Sequence, residues 1–333
     1  MPTALVQGRI AVQYEHLLRA ELNDDWKILV WDPSCNGPDE FIAMALEADA
    51  IIGGKIPTPN WPNIPKLKVF QIPWTGYDFC SPQTMPNGIP VCNCYEHETT
   101  IAEFLLCAML ETKIGLRQID QRFRAEGWGG RQPGSSLNHG EIRNRTVGIV
   151  GYGHIGKEVA HRAAAFGMRV IAIRRSKHKT IPPLDWLGST DQLDQLLAES
   201  DFVVVACDMN KETIGMIGAP QLARMKPDSV IINVGRGRVI DEEALYQALK
   251  DRSIGGAVLD VWYNYIGNDK EDVWPCNYPF QDLDNVILSA HESAASPEQL
   301  ERRWKFVADN LQRVANGGQP ENQVFLGTAT AGL

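Results

Sequence analysis

The sequence lacks long apolar runs and any excess of basic residues. No stretch of its 333 residues approaches the roughly 18 consecutive apolar residues of a membrane-spanning helix. Lysine and arginine number 32 against 41 acidic residues, a formal net charge of −9, which disfavours phosphate backbones and anionic lipid as partners. The N-terminus also lacks a charged region followed by an apolar stretch. We therefore expect a cytoplasmic protein with no nucleic-acid and no membrane partner.

Closely paired cysteines are also lacking. The seven cysteines form no Cys-x-x-Cys pair, and the two closest, Cys92 and Cys94, are spaced too tightly for an easy disulfide. Cys107 and Cys207 lie in apolar sequence surroundings. These features predict reduced thiols buried in the core, and we predict no metal site.

Short runs rich in Val and Ile alternate with helical patterns, which is typical of α/β proteins with parallel sheets. At 333 residues, two domains are favoured, each large enough to bury its own core. Five strands are predicted in the first third of the chain, at Thr3–Gln7, Lys27–Trp31, Ala50–Gly53, Val69–Ile72 and Val91–Cys94. Six more follow, at Thr146–Val150, Arg169–Ile173, Phe202–Cys207, Ser229–Val234, Ala257–Val261 and Asn285–Ser289. Six strands with helices between them are what a complete dinucleotide-binding sheet needs.

Helical spacing of apolar residues predicts one long helix from about Thr99 to Arg124, followed by a Gly- and Pro-containing loop over residues 127–140. A last helix is predicted from Pro297 to about Val314. The two glycines that follow, Gly317 and Gly318, predict a weakly structured tail.

A glycine-rich fingerprint follows the first strand of the second series. Thr146–Val150 leads into Gly151-Tyr152-Gly153-His154-Ile155-Gly156, and a helical run begins directly after it. In this pattern the first glycine permits a tight turn, the second lets the backbone approach a pyrophosphate, and the third lets the helix pack closely on the strand. The N-terminus of the helix supplies N–H groups for the phosphates. We predict that all six residues contact a dinucleotide cofactor.

The residues at the end of the next predicted strand indicate which dinucleotide the protein binds. An acidic residue that binds the ribose 2′-hydroxyl is expected there, but the sequence has Arg174-Arg175-Ser176. Two guanidinium groups and a hydroxyl suit a 2′-phosphate. We therefore predict NADP as the preferred cofactor, with NAD possible.

Three later strand ends carry reactive side chains, namely Arg236, Asp260 and His291. Ligands of doubly wound sheets bind outside the carboxyl ends of the strands, so these residues are expected to share one crevice. An arginine that grips a carboxylate and a histidine that donates a proton are sufficient, with a nicotinamide, to reduce a 2-oxo acid. Arg236 and His291 are thus the predicted catalytic residues. Cys207, Val234, Gly235, Asp260 and Ser293 are further predicted cofactor contacts.

The sequence resembles the D-2-hydroxyacid dehydrogenase family, which includes glyoxylate/hydroxypyruvate reductases and phosphite dehydrogenase. The resemblance covers nearly the whole chain and rests on residues 71–78, 88–93 and 101–103 and on the run from Thr146 to His291. It implies a Rossmann coenzyme domain, residues 100–294, inserted into a flavodoxin-like substrate domain, residues 1–99 plus 295–333. Both would be doubly wound parallel sheets.

The same resemblance implies several residue roles. A loop of Trp74, Thr75 and Gly76 would meet the carboxylate of a small anionic substrate, together with Arg236 and His291. Asp260 would bind the nicotinamide carboxamide. A homodimer formed largely by the coenzyme domains is also implied.

One departure from the family pattern concerns the predicted acid. The family places a Glu five residues after Asp260, hydrogen-bonded to the catalytic histidine, whereas this chain has Tyr265. Without a carboxylate partner the pKa of His291 is expected to fall towards or below its free value. Glu271, Asp272, Glu96 and Glu98 are candidate replacements. His97, between two of these glutamates, is expected either to face a cleft or to lie in a solvated loop.

Two alternatives remain open beside an NADPH-preferring reductase of 2-oxo acids. Arg236 and the helix termini could bind a phosphorus oxyanion instead, as in phosphite dehydrogenase. The chain could also be a nucleotide-sensing binding protein like the corepressors of the family, because those proteins retain the arginine and the histidine.

Overall fold

The computed structural model describes residues 1–57, 61–130, 134, 139–176, 179–265 and 274–330. The chain forms two compact units, one of Met1–His97 with Ser296–Leu333 and one of Glu98–Ala295. The second unit is therefore inserted into the sequence of the first. Strands and helices are numbered below along the whole chain.

The first unit contains a six-stranded sheet with the order β2-β1-β3-β4-β5-β13. Its strands are β1 (Thr3–Gln7), β2 (Lys27–Trp31), β3 (Ala50–Gly53), β4 (Val69–Gln71), β5 (Pro90–Cys92) and β13 (Gln323–Leu326). The first five are parallel and follow the flavodoxin-like order, with the change of winding direction between β1 and β3. The near-continuous apolar composition of β1, β3 and β4 reflects burial on both faces.

Helices cover both faces of this sheet. They are α1 (Arg9–Gln13), α2 (Glu15–Leu22), α3 (Pro38–Ala45) and α10 (Pro297–Ala315). On one face, Trp304 and Leu311 of α10 pack with Leu18 of α2 against the strands. On the other, Phe41 of α3 packs with Phe70 of β4. The helix that comes last in the chain therefore completes the core of the unit that begins it.

The prediction of a weakly structured tail was wrong. Residues 323–326 form β13, which pairs antiparallel with β5 at the sheet edge. Gln323-Val324-Phe325-Leu326 is too short to reveal a strand by its periodicity. The strand forms because the open edge of β5 offers unpaired backbone groups.

The second unit contains a seven-stranded parallel sheet with the order β8-β7-β6-β9-β10-β11-β12. Its strands are β6 (Thr146–Val150), β7 (Arg169–Arg174), β8 (Trp186–Ser189), β9 (Phe202–Val205), β10 (Val230–Asn233), β11 (Gly256–Leu259) and β12 (Val286–Leu288). The six predicted strands are present, and β8, which contains a glycine and lies at the edge, was missed. The predicted α/β class with one Rossmann and one flavodoxin-like sheet is confirmed.

The helices of this unit are α4 (Glu98–Ile114), α5 (Leu116–Glu126), α6 (His154–Ala165), α7 (Leu193–Glu199), α8 (Ala219–Leu222) and α9 (Glu242–Lys250). The prediction of one helix from Thr99 to Arg124 was wrong, because Gly115 adopts a left-handed φ of 64° and separates α4 from α5. A helix cannot continue through that conformation. No described helix is both long enough and apolar enough to cross a membrane.

All seven cysteines are free thiols, but they are not all in the core. Cys107 is exposed on α4, which contradicts its predicted burial. Its helical position places it on the outer side of α4, which the local apolar composition does not reveal. Cys207 is partly buried, and burial together with the charge of Asp208 raises its pKa to about 12, so it stays a thiol. The described residues contain no cluster of three or more potential metal ligands.

Candidate active site

The glycine-rich fingerprint forms the turn between β6 and α6. Gly151 has a φ of 106°, and a Cβ there would lie 2.7 Å from the backbone nitrogen of Cys207. A Cβ on Gly156 would lie 2.5 Å from the carbonyl oxygen of Gly151. Both positions therefore need glycine, the first for the turn and the second for the close approach of helix and strand.

Gly153 differs from these two glycines. A Cβ at this position would meet no atom within 4 Å, so the space beside its backbone is open. Gly153 is the N-cap residue of α6, and because it has no side chain, it accepts no hydrogen bond from the first turn of the helix. The backbone N–H groups of that turn are therefore available to a ligand. An open cradle at the start of a twelve-residue helix fits the pyrophosphate of a dinucleotide.

The three other fingerprint residues have different surroundings. The side chain of Tyr152 is buried in the core, and that of Ile155 packs against the same cluster. The His154 side chain is exposed, with Nδ1 at 3.7 Å from Oε1 of Glu98. All three stay predicted cofactor contacts.

The two arginines at the end of β7 are not equivalent. Arg175 is exposed and lies 3.5 Å from Oδ2 of Asp208 and 3.7 Å from Oε2 of Glu212. Arg174, the last residue of β7, is half-buried and forms no ion pair with any residue that the structure describes. Ser176 is exposed beside them. Within the described segments, Arg174 is therefore the one of these two guanidinium groups that no carboxylate pairs with.

Close backbone contacts bring the neighbouring strand ends together. A Cβ on Gly235, after β10, would lie 2.6 Å from the carbonyl oxygen of Cys207, after β9. A Cβ on Gly237 would lie 2.3 Å from the carbonyl oxygen of Trp262, after β11. Cys207, Val234 and Gly235 thus lie at the same sheet edge as the fingerprint, as expected of parallel strands.

Arg236 lies between these two glycines and is half-buried. Its Nη1 donates a hydrogen bond to the carbonyl oxygen of Gly235 at 2.8 Å. Asn233 fixes the turn, because its side chain donates to the carbonyl of Arg236 at 3.0 Å and accepts from the Gly235 N–H at 3.1 Å. The positive charge of Arg236 lowers the pKa of both Tyr265 and His291.

Asp260 holds the turn that carries His291. Asp260 is fully buried, and its carboxylate accepts a hydrogen bond from the Glu292 N–H at 2.7 Å and from the Ser293 N–H at 3.2 Å. The Ser289 hydroxyl donates to the same carboxylate. These bonds stabilise a left-handed φ of 62° at His291, a conformation that costs a non-glycine residue about 1–3 kcal/mol. The proposed contact of Asp260 with a carboxamide stays a prediction, as does that of buried Ser293.

Tyr265 occupies the position next to the imidazole of His291. Its Oη lies 3.1 Å from Nδ1 of His291, and the two rings are edge to face with centroids 5.7 Å apart. The N–H of Trp262 donates to the same Oη at 3.2 Å. The residue at the position of the family glutamate therefore still hydrogen-bonds the histidine, through a phenol.

The pKa of His291 lies below its ordinary value. His291 is exposed as a residue, but desolvation of its ring by the surrounding atoms has the largest effect and lowers this pKa. The negative charge of Asp260 opposes the shift, and the positive charge of Arg236 adds to it. This agrees with the direction expected from the lack of a carboxylate partner. Glu271 and Asp272, two candidate replacements, lie outside the described residues.

The loop of Trp74, Thr75 and Gly76 lies in the first unit and is half-buried. A Cβ on Gly54 would lie 2.8 Å from the Trp74 ring, so that glycine makes room for the indole. The Thr75 hydroxyl donates to the Cys94 carbonyl at 2.9 Å and lies 3.2 Å from Nε2 of His97. His97 is buried, so the expectation of a solvated loop was wrong, and its ring contacts the Thr75 hydroxyl. A substrate-binding role of the loop stays a prediction.

Two structural features of the site were not predicted from the sequence. The clamp of Asp260 on the His291 turn joins residues about thirty positions apart, and no local pattern reveals it. The bond from Tyr265 to His291 was also missed, although the residue was singled out as a departure. The signal that could have found it is its position, five residues after Asp260.

Comparison with known proteins connects this geometry to a family. The family described as D-isomer specific 2-hydroxyacid dehydrogenase, NAD binding domain, matches residues 106–293. The chain is 33% identical over 313 residues to a glyoxylate reductase of Thermococcus gammatolerans, covering 91% of each protein. It is also 33% identical over 330 residues to glyoxylate/hydroxypyruvate reductase B of Pectobacterium carotovorum, covering 97% of this chain and 98% of the relative.

Among solved structures, the fold is similar to an NADPH-dependent glyoxylate/hydroxypyruvate reductase of Sinorhizobium meliloti crystallised with citrate. The TM-score is 0.75 at 26% identity, and the match covers 97% of this chain and 98% of that one. With a family match over more than half of the chain and relatives above 30% identity over nearly all of it, the protein belongs to the D-isomer specific 2-hydroxyacid dehydrogenases, a family of NAD(P)-dependent oxidoreductases.

Proposed function

We propose that the protein reduces a 2-oxo acid to a D-2-hydroxy acid with NADPH as the preferred hydride donor. The observation that carries this proposal is the placement of Arg236 and His291 at the same sheet edge as an open glycine cradle for a dinucleotide. The relatives named glyoxylate and hydroxypyruvate reductases support a small 2-oxo acid as substrate. The D configuration follows the description of the family.

The reaction divides between two side chains. Bound NADPH supplies the hydride. The Arg236 guanidinium binds the substrate carboxylate and polarises the carbonyl, because a planar fork of N–H donors matches a carboxylate. His291 donates a proton to the carbonyl oxygen as negative charge develops there. In the reverse direction the neutral imidazole accepts the hydroxyl proton.

The preference for NADPH rests on Arg174-Arg175-Ser176. Arg174 has no carboxylate partner among the described residues and can pair with a 2′-phosphate, whereas Arg175 must first leave Asp208 and Glu212. No acidic residue stands at the end of β7 to bind a 2′-hydroxyl. NADH would therefore bind more weakly than NADPH.

A homodimer through the coenzyme-binding unit is also part of the proposal. An apolar groove on this unit runs between α4 and α6 and is lined by Leu106, Leu110, Ile114 and Phe166. Phe166 is 47% exposed and adds an aromatic ring to this groove. Size-exclusion chromatography with light scattering tests this: the wild type should elute as a dimer of 37.0 kDa chains, and Phe166→Glu should shift it towards the monomer.

The function is tested by following the absorbance of the reduced nicotinamide. NADPH and NADH are each mixed with glyoxylate, hydroxypyruvate, pyruvate or phenylpyruvate. We expect consumption of NADPH, and its loss in Arg236→Ala and His291→Ala. NADP⁺ with phosphite is the control for a phosphorus oxyanion substrate. Binding of NADPH without turnover of any 2-oxo acid would overturn the proposal and favour a nucleotide sensor.

A further inference from the structure

The side chain of Tyr265 forms a contact with His291 that the proposed reaction does not explain. We propose that Tyr265 is the positioning residue of His291: its hydroxyl, held by the Trp262 amide, orients the imidazole through Nδ1 without placing a charge beside it. The inference rests on the proposed function, because it assumes that His291 exchanges the proton. A carboxylate at this position would both orient the imidazole and stabilise its positive charge. The phenol of Tyr265 only orients it.

The hydroxyl of Tyr265 is fixed from two sides. Its Oη accepts a hydrogen bond from the Trp262 N–H at 3.2 Å and lies 3.1 Å from Nδ1 of His291. The Trp262 indole in turn donates to the carbonyl of Ser289 at 2.8 Å. The segment with the phenol and the turn with the imidazole are therefore connected directly, so the ring of His291 has a defined orientation.

Within the described part of the chain, no carboxylate takes the place of this hydroxyl beside His291. The carboxylate of Asp260 is buried and accepts hydrogen bonds from Ser289, Glu292 and Ser293. Among the residues that the structure describes, no carboxylate lies within 4.0 Å of the His291 ring nitrogens, and Arg236 contributes positive charge nearby. Partial desolvation raises the pKa of the Tyr265 hydroxyl above its ordinary value, so the phenol is neutral near pH 7.

A neutral phenol and a carboxylate orient an imidazole differently. A carboxylate only accepts a hydrogen bond, so it favours an Nδ1–H group and stabilises the imidazolium ion. A phenol oxygen can accept from Nδ1–H both in the protonated ring and in the neutral tautomer that leaves Nε2 free to take a proton, and its O–H can donate to Nδ1 in the other neutral tautomer. Tyr265 can therefore maintain the orientation in both protonation states, and it favours neither by charge.

The two reaction directions should depend on pH in opposite ways. Reduction needs the protonated ring, so its rate should fall as pH rises through the lowered pKa of His291. Oxidation needs the neutral ring, which is already abundant near pH 7. The chain should thus oxidise 2-hydroxy acids at more than half of its maximal rate at neutral pH, while reduction is half-maximal below about pH 6.5, the value of free imidazole.

The experiment compares Tyr265→Glu and Tyr265→Phe with the wild type. Single-turnover hydride transfer is measured in both directions across pH, and the ring pKa of His291 is measured by NMR titration of labelled histidine. Tyr246→Phe is the matched control, since it removes a phenol hydroxyl on α9 that has no hydrogen-bond partner among the described residues. Tyr265 is 54% exposed, so its substitution should leave the fold intact.

We expect Tyr265→Glu to move the midpoint of reduction up by one unit or more, because an adjacent carboxylate raises a histidine pKa by about 1–3 units. At pH 8, the rate of reduction, expressed as a fraction of the maximal rate of the same variant, should then rise about tenfold for each pH unit by which the midpoint moves up. Tyr265→Phe should slow both directions about tenfold without raising the midpoint, and Tyr246→Phe should change neither.

Two results would overturn the inference: a Tyr265→Phe variant with wild-type rates in both directions, or a Tyr265→Glu variant whose pH midpoint and His291 pKa equal those of the wild type. The NMR titration separates this inference from the proposed function. If no 2-oxo acid is reduced but Tyr265→Glu raises the His291 pKa while Tyr265→Phe does not, the contact stands and the proposed substrate is wrong.

Discussion

The phosphate-binding turn and the His291 turn lie at the same edge of one sheet, but they are built by different means. The first turn is shaped by the backbone: Gly151, Gly153 and Gly156 have no Cβ, and this allows its tight turn, its open cradle and its close helix packing. The second is side chain: Asp260 holds a strained His291 in place, and Tyr265 orients its ring. A site built from backbone has a short, regular sequence pattern, whereas one built from side chains depends on distant residues.

The comparison predicts that the His291 turn determines rate and the glycine turn determines binding. His291→Asn keeps a hydrogen-bonding side chain but removes the proton donor. Because general acid catalysis contributes about 10²–10⁴-fold, we expect the rate of reduction to fall by this factor. The Kd for NADPH, measured by fluorescence, should be unchanged. A large loss of NADPH affinity would mean that the two turns are not separable.

The glycine turn offers a matched pair of variants. Gly151→Ala introduces a Cβ at a left-handed φ and 2.7 Å from the Cys207 backbone, so we expect a lower Tm and a tenfold to hundredfold weaker binding of NADPH, about 1.4–3 kcal/mol. Gly153→Ala meets no protein atom within 4 Å. It should leave the Tm of the free protein unchanged and weaken NADPH binding alone.

A lower Tm in both variants would show that the fold of the free protein, and not only cofactor binding, requires glycine at position 153. Equal NADPH affinity in Gly153→Ala and the wild type would place the pyrophosphate elsewhere.

Asp260→Asn tests the clamp on the His291 turn. The amide loses an acceptor and presents N–H groups to backbone donors, so we expect a loss of stability of about 1–3 kcal/mol and a slower reaction. Denaturant unfolding measures the first and single-turnover kinetics the second. Asp282→Asn, at an exposed carboxylate, is the control. Unchanged stability of Asp260→Asn would show that the left-handed conformation does not depend on the carboxylate.

The smallest effect is expected at the ribose end of the cofactor site. Arg174→Ala should weaken NADPH binding about tenfold, since a hydrogen bond to a charged group contributes about 1.5 kcal/mol or more. Arg175→Ala should weaken it less, because the guanidinium is already paired with Asp208 and Glu212. Calorimetric titration with NADPH and NADH gives both values. Equal losses in the two variants would mean that the acidic partners of Arg175 do not compete.

The fold was predictable where a residue pattern is local. Parallel strands with both faces buried have continuous apolar runs, so β1, β3 and β6 were located to the residue. The edge strand β2 was located equally well, because its residues 28–31 are all apolar. The break at Gly115 was not predictable, because a single glycine within a helical pattern is often tolerated. The strand β13 depends on a partner edge more than 200 residues earlier in the chain.

In the candidate site, too, the features with a local sequence pattern were predictable and those that depend on the folded chain were not. The Gly151–Gly156 fingerprint and the arginines after β7 could be predicted from spacing alone. For Tyr265 the sequence shows that a carboxylate is missing, but not that the phenol reaches His291. That contact requires the chain to turn back so that the Trp262 N–H meets the Tyr265 hydroxyl, which is a property of the folded segment.

The inserted arrangement also determines the order in which the chain can fold on the ribosome. Both α10 and β13 follow the whole of Glu98–Ala295, yet Trp304 and Leu311 fill the core of the first unit. The continuous unit can therefore close its core as soon as it has emerged. The first 97 residues must await residues 296–326, so their apolar sheet face is the surface that a chaperone would meet during synthesis.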